Sequence, residues 1–525
     1  MKKIFRIVMF FTAAAFVSCA DELDINNDPN SPAQITPGLA LASAEASIIT
    51  VVGGELTNLG GFYAQYQSQA PTAGQYESID QYNLNATYAN RFWTELYAGG
   101  LNDLEFVITE SNKTGDTGTA LIATCLKAYT FQVLVDLFGD VPYTEALQGL
   151  ANITPAPTPG EDVYADLITK IDAAIAAYNA DPVDSDVGGQ DMIYGGDTDS
   201  WIKFANTLKL RMYIRMAYTA QANPAAVTAL MAEGNFIDED AAFANFNKTL
   251  DKTNPFYGVQ ISTQGTGLGD VNNVASNTLM EFYIANGDER KELVFRPKAT
   301  SATAPAIMYV SIAQGSGDEF NDTALNYSRP NINPEFPVFL LTVAESNFLQ
   351  AEALVRYAGG AGAKEKYDAG VLASFVTDAT YFLSNDDLDG VFELSDNDDE
   401  WDPVYTVAQA TAFASAHTAP GGTYEYIDAG SVEGNVRQII IQKWASLAFV
   451  NNLEAYVETT RTKYPEVVVE GSEDYTIGNR IPSRISVLSG TSVPSILFYP
   501  EQEVNRNPNI TQKGSLIEKV WWDQK

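Results

Sequence analysis

Apolar side chains recur at three- and four-residue steps in several long stretches, the spacing of one face of an α-helix. Ile122, Cys125, Leu126, Tyr129, Val133 and Leu137 form one such stripe, and Gly139 and Pro142 end it. Ser200 is placed to cap a second helix from Trp201 to about Tyr218. Its inner face is Trp201, Ala205, Leu208 and Met212, with Asp197 and Asp199 beside its positive end. A third stripe, Leu341, Ala344, Phe348, Ala351 and Val355, is interrupted by Gly359, Gly360 and Gly362 and resumes as Tyr367, Val371 and Phe375. That helix–turn–helix unit is about 34 residues long, the tetratricopeptide period. A last long helix is expected from about Val436 to Thr460, with Ile440, Trp444, Leu447 and Asn451 along one side.

Between the stripes the period is lost. Residues 251–338, 384–403 and 466–497 are rich in Gly, Asn, Thr and Pro and carry scattered aromatics. Long irregular segments that keep aromatic residues are ordered and handle ligands. The expected fold is therefore mainly α: a tetratricopeptide-like helical scaffold (37–250 and 339–465), a loop-rich ligand region (251–338), and few short strands.

The N-terminus sets the compartment. Met1 to Arg6 holds three basic residues, and Ile7 to Val17 is apolar apart from Thr12. Eleven residues fall short of the roughly 20 that span a bilayer, but they suit the core of a signal peptide. Phe16-Val17-Ser18-Cys19 resembles a bacterial lipobox, with Phe16 where leucine is usual; an ordinary cleavage near Ala20 is the alternative. On the lipobox reading residues 1–18 are a signal peptide, Cys19 carries the lipid, and 19–36 form a polar, proline-broken tether. Ala20-Asp21-Glu22 resembles the surface-export signal of Bacteroidetes lipoproteins. No later run is expected to cross a membrane, so the anchor is the lipid. Cys125 is then left without a disulfide partner, as a buried, inert thiol.

Charge narrows the function. The 525 residues carry 67 acidic and 31 basic side chains, a net charge of −36, which removal of the leader deepens. Nucleic acid is excluded as a partner, since its phosphates need clustered Lys and Arg. The single histidine, His417, excludes multi-histidine zinc sites and is expected in a loop. No Walker loop, dinucleotide fingerprint or nucleophile elbow occurs.

Six segments in order then carry a family resemblance. They are Leu23 to Asn30 behind Cys19, Val135 to Ala146, Trp201 to Arg211, and Ala344 to Ala353. Gln442-Lys443-Trp444 with Arg461 to Pro465 follows, and then Pro482-Ser483-Arg484 with Tyr499-Pro500 and Glu501 to Asn507. Together they resemble the SusD/RagB outer-membrane lipoproteins, in the SusD-like group that opens with a Leu-Asp-x-Asn-x-Asp-Pro-Asn tether. The resemblance implies a single domain over 37–525 that docks on a SusC-like TonB-dependent transporter and acts as a hinged lid. It implies capture of an oligosaccharide, or of a peptide in some members, without chemistry and without a cofactor. A glycoside hydrolase on a helical scaffold is the alternative from another class, because 67 acidic residues could supply a carboxylate pair.

Glycan capture calls for aromatic faces beside amides and carboxylates. Residues 71–93 offer Gln75, Tyr76, Asp80 and Tyr82, with Trp93 assigned to core. Tyr257, Gln264, Asn272, Asn273 and Tyr327 are further candidates in the loop-rich region. Asn385, Asp387 and Asp389, followed by Gly390, resemble the start of a calcium loop. The pattern departs at its first and last ligands, so a solvated acidic loop is the simpler reading and any calcium would be structural. Asp140, Pro142, Tyr143 and Glu145 read as a helix stop and turn. Glu345 and Glu352 are expected to pair with Arg211, Arg215 or Arg437, and Trp521 and Trp522 to pack the C-terminus.

Overall fold

The computed structural model describes residues 35–249, 251–260, 272–298, 308–319, 326–382 and 405–525. In chain order the main helices begin with α1 (Pro37–Val51), which runs through a π-turn at Val52–Leu56 into α2 (Thr57–Tyr63). There follow α3 (Asn102–Thr114), α4 (Thr117–Phe138), α5 (Gly160–Ala180), α6 (Thr198–Arg215), α7 (Pro224–Glu233) and α8 (Asn277–Asn286). The C-terminal half adds α9 (Val343–Tyr357), α10 (Ala363–Tyr381), α11 (Val407–Thr418), α12 (Val432–Ser446) and α13 (Asn452–Thr462). Strands are short and pair antiparallel by twos: β1 (Gln67–Gln69) with β5 (Asn273–Ala275), β2 (Val141–Pro142) with β3 (Pro157–Thr158), β4 (Ala241–Phe243) with β8 (Val338–Leu341), and β6 (Phe295–Arg296) with β7 (Arg329–Pro330). The fold is mainly helical, as the periodicity predicts, although the segment expected to be loop-rich also holds α8.

Caps explain several boundaries. Asp116 accepts the Thr119 N–H at 2.9 Å to start α4. Asp197, rather than Ser200, caps α6: its Oδ1 accepts the Asp199 N–H at 3.2 Å, and Ser200 donates to its Oδ2 at 2.7 Å. An aspartate has two acceptor oxygens for these donors, so the helix starts one turn earlier than expected. The long final helix is in fact two. Phe449 adopts φ 60°, Asn452 Oδ1 accepts its N–H at 2.6 Å, and Asn451 caps α13 through Glu454 N–H. The break seats α13 against α2, where a Cβ on Gly60 would lie 2.3 Å from the Asn452 carbonyl oxygen. Only glycine permits that approach.

Beside two small clusters, two large apolar cores result among the described residues. One joins α1 to α6 with the C-terminal residues Ile496, Leu497, Tyr499 and Trp522. The other joins α8 to α13 with Phe295, Phe336 and Phe339. By length and composition two helical stretches among the described residues, Pro37–Tyr63 (α1 to α2) and α4, are apolar enough to cross a membrane, contrary to expectation, but 67% and 89% of them are buried inside the protein. Cys125 lies within α4, wholly buried. His417 is not in a loop. It sits in the last turn of α11, with Nε2 2.8 Å from Glu289 Oε2 and its ring 4.9 Å from that of Tyr424.

The cores meet at a buried charge cluster. Arg211 binds Glu345 through two bonds of 2.8 and 3.1 Å. Arg215 reaches Glu454 at 2.6 Å and also Glu458. Arg461 clamps Glu352 at 2.7 and 2.9 Å and Glu458 at 2.8 Å. Glu352, expected to pair with Arg211, Arg215 or Arg437, thus takes Arg461 and Arg356 instead, and Arg437 goes to Glu466. Burial alone would raise Glu458, yet Arg461, Lys443 and Arg215 hold its carboxyl well below the usual range. Removing one partner from such a cluster leaves an uncompensated buried charge. Arg461→Ala should therefore lose about 3–5 kcal/mol of stability, read by denaturant unfolding.

A second buried carboxyl fixes α1. Glu45 Oε2 accepts the Met192 N–H at 2.8 Å beside Asp191, whose oxygens take the N–H groups of Ile193, Tyr194 and Gly196 and the Trp201 indole. Burial first, and then the Asp191 charge, push Glu45 up to about 9. The folded state therefore holds a proton that the unfolded chain releases near the usual carboxyl pKa of about 4.3. Stability from this group is complete below that value and is lost as pH rises toward 9. Glu45→Gln keeps the shape and removes the proton linkage, so its melting temperature should exceed the parent's at pH 8 and the gap should close at pH 4.

Candidate ligand-binding site

The candidate face is built on β1. Past α2 the chain turns at Gln65 (φ 62°), runs through Gln67–Gln69, and enters a loop in which Thr72 (φ 64°) and Tyr82 (φ 56°) also take the left-handed conformation. Strained backbone of this kind persists where the surroundings over-determine it. Asp80 supplies the constraint. It is wholly buried; its Oδ2 accepts Ser68 Oγ–H and Gln69 N–H, each at 2.9 Å, and its Oδ1 accepts Gln314 Nε2 at 2.5 Å. Burial pushes the Asp80 carboxyl up to about 6, against the lowering effect of these donors. Gly315 N–H donates to Ser68 Oγ at 3.1 Å, so the 313–316 turn is tied to β1.

β1 pairs with β5 in the register Gln67↔Ala275, Ser68↔Val274, Gln69↔Asn273. That pairing brings residues some 200 positions apart in the chain to one edge. There Gln75 is exposed and Tyr76 and Asn272 are half-exposed. Asn272 Nδ2 donates to Gln75 Oε1 at 3.2 Å, and Gln75 Nε2 donates to the Tyr76 hydroxyl at 3.3 Å. The Tyr76 ring stands edge-on to Phe62 with centroids 6.3 Å apart. Burial and then the Glu55 charge push its phenol up to about 12, so it remains a neutral hydroxyl at pH 7. The face thus combines a half-buried tyrosine with two side-chain amides.

Of the sequence candidates, Gln75 and Tyr76 share this face with Asn272. Asp80, Tyr82 and Asn273 do not reach it, because all three are fully buried. Tyr82 packs edge-on to Tyr63 at 5.5 Å, and Asn273 Nδ2 donates to Asn58 Oδ1 at 2.9 Å. Tyr327 lies in a small apolar cluster with Ala70, Val274 and Ile312, supporting the strand pair. Tyr257 is buried in the second core, next to Phe256, whose ring stacks on Phe449. These tyrosines were candidates by composition, and burial assigns them to support. Trp93 is core, as expected, against Phe138 at 5.0 Å. Cys19, Gln264, Asn385, Asp387 and Asp389 lie outside the described residues. Among the described residues no group of three or more His, Cys, Asp or Glu side chains is arranged to hold a metal. Sequence reasoning missed Gln69 and Gln314; the alternation Gln65, Gln67, Gln69 was the available signal for the first.

A cavity of about 370 Å³ lies elsewhere, between α3, α4 and α5, lined by Ile108, Leu121, Leu167 and Ala174 with Lys127 and Lys170. Both lysines are already paired, with Glu105 and Asp166. The cavity includes none of the loop residues above, and we assign it to the scaffold.

The polar, aromatic loop face is thus carried on a mainly helical scaffold. The chain belongs to the SusD-like family, described as starch-binding and associating with the outer membrane, whose model matches residues 29–487. Solved structures share the fold. A SusD/RagB family protein from Bacteroides thetaiotaomicron superposes with a TM-score of 0.71 at 20% identity, covering 93% of this chain and 99% of that one. A chitin-binding protein gives 0.70 at 23%, covering 93% and 100%. A SusD homologue from Bacteroides fragilis gives 0.70 at 19%, covering 94% and 100%. No curated protein matches the chain in sequence.

The base of the face depends on Gly315, which has φ 72° and where a Cβ would lie 2.1 Å from Ser483 Oγ and 2.9 Å from Arg484 N. Gly315→Ala should cost about 1–3 kcal/mol through backbone strain and that clash. Chemical denaturation of the variant measures it.

Proposed function

We propose that this chain is a lipid-anchored outer-membrane protein that captures an oligosaccharide at the Tyr76 face and passes it to a SusC-like TonB-dependent transporter. The observation that carries this reading is the family match along residues 29–487, whose description joins starch binding to the outer membrane. The face supports it chemically. A half-buried tyrosine offers an apolar surface to a sugar ring, and the Gln75 and Asn272 amides, each both donor and acceptor, suit vicinal hydroxyls. The mechanism is binding without bond cleavage. The leader and Cys19 supply the anchor, and the transporter takes the released glycan.

The test uses the chain from residue 20 with α-1,4-glucan and β-1,4-N-acetylglucosamine oligomers beside a peptide panel, read by calorimetry and by mass spectrometry of the supernatant. Saturable glycan binding with unchanged ligand is expected, and Tyr76→Ala should weaken it about tenfold, equivalent to ~1.4 kcal/mol. Cleaved products would replace capture with hydrolysis, and binding confined to peptides would change the ligand class. For the anchor, Cys19→Ala in the full chain should release the protein from the membrane fraction.

A further inference from the structure

We propose that Gln69 is the positioning residue of this face: its side-chain amide fixes the direction in which Tyr76 and Asn272 meet a ligand. The inference rests on the capture reading above and adds a residue to it.

Gln69 is held at two levels. Its backbone N–H donates to Asp80 Oδ2 at 2.9 Å, which locks the strand to a buried carboxylate. Its side chain is 4% exposed residue-wide and spends both ends of its amide on the face. Oε1 accepts the Tyr76 N–H at 2.7 Å, and Nε2 donates to the Asn272 carbonyl at 2.6 Å. A backbone N–H can only donate and a carbonyl can only accept, so the two partners dictate which end of the amide is oxygen. Neither an ionised Glu nor Met can serve both. Asn272 and Gln75 then complete a closed circuit: Gln69 to Asn272, Asn272 to Gln75, Gln75 to the Tyr76 hydroxyl, and the Tyr76 backbone to Gln69.

The circuit matters because its members come from separate chain segments with weak local support. Thr72 holds a left-handed φ between Gln69 and Tyr76. Tyr76 opens only a four-residue helix, Glu77–Asp80, that has no side-chain cap. Asn272 lies just outside the paired residues of β5 and also receives the Ala70 N–H at 2.8 Å. Without the Gln69 amide, the Tyr76 N–H loses its bond to Gln69 Oε1. The Asn272 carbonyl keeps the Ala70 N–H but loses the Gln69 donor, so the backbone at Tyr76 is no longer tied to β1 from below. A face set in advance binds better because less ordering is left to the encounter.

Hydrogen exchange and calorimetry on the mature chain test this with Gln69→Ala, Gln69→Glu, Tyr76→Ala and the Gln69→Ala/Tyr76→Ala double variant. In Gln69→Ala the Tyr76 amide should exchange at least about tenfold faster while amides of α4 keep the parental rate. Glycan affinity should fall about tenfold, with the double variant no weaker than Tyr76→Ala alone, because the two act as one unit. Gln69→Glu keeps the acceptor for Tyr76 N–H but sets a carboxylate oxygen against the Asn272 carbonyl. It should restore Tyr76 protection without restoring affinity. An unchanged Tyr76 exchange rate in Gln69→Ala, or losses of affinity that simply add, would overturn the proposal. If Tyr76→Ala leaves glycan binding intact, the capture reading of this face fails, and the exchange result still decides whether Gln69 positions Tyr76.

Discussion

Five carboxylates and five cations share the interior where the two apolar cores join: Asp136 on α4, Arg211 and Arg215 on α6, Glu345, Glu352 and Arg356 on α9, Lys443 on α12, and Glu454, Glu458 and Arg461 on α13. Desolvating ten charges is costly, and the cost is met only if every carboxylate keeps its partners. Each of the five helices is therefore fixed in rotation and height relative to the others. A purely apolar contact surface would tolerate sliding; a bidentate guanidinium–carboxylate pair does not. The Trp522 indole, donating to Asp136 at 2.9 Å, adds the C-terminus to the same constraint.

The candidate face inherits this rigidity through short links. α13 is held by the cluster and packs against α2, and α2 leads directly into β1. The Trp444 indole donates to the Ala64 carbonyl at 2.9 Å, and Gln65 bonds Thr278 on α8 and the Ile481 backbone. The β1 strand thus emerges from the junction of both cores already oriented, with Asp80 beneath it. A loop face on such a base can be small and still well ordered.

The helices were legible because their apolar positions recur at helical spacing, although α4, read as an amphipathic stripe, is buried on nearly all sides. Ile122 to Leu137 lies in one helix, and Ala344 to Phe375 forms the expected helix pair. Leu341, read as the first residue of that stripe, instead ends strand β8, because Thr342 caps the helix after it. Errors arose where local signals competed. Asp197 outcompeted Ser200 as a cap. The apolar run across Leu447 concealed a break, since Phe449 carries its left-handed φ under an asparagine side chain three residues on. His417 sits among small residues that resemble a loop, yet the Thr406–Gln409 capping box starts a helix there.

For the candidate face, composition singled out residues 71–93 with Gln75 and Tyr76 among them, but it could not rank tyrosines by exposure. Tyr82, Tyr257 and Tyr327 are as suitable chemically as Tyr76, and packing alone made them support. Sequence by itself determined the helical scaffold, the acidic surface and the family, because these depend on periodicity, charge and ordered local motifs. Only the tertiary structure decided which polar side chains meet. The pairing of residues 67–69 with 273–275, the partners of Glu352, and the circuit through Gln69 all join residues distant in the chain. No local spacing encodes such contacts.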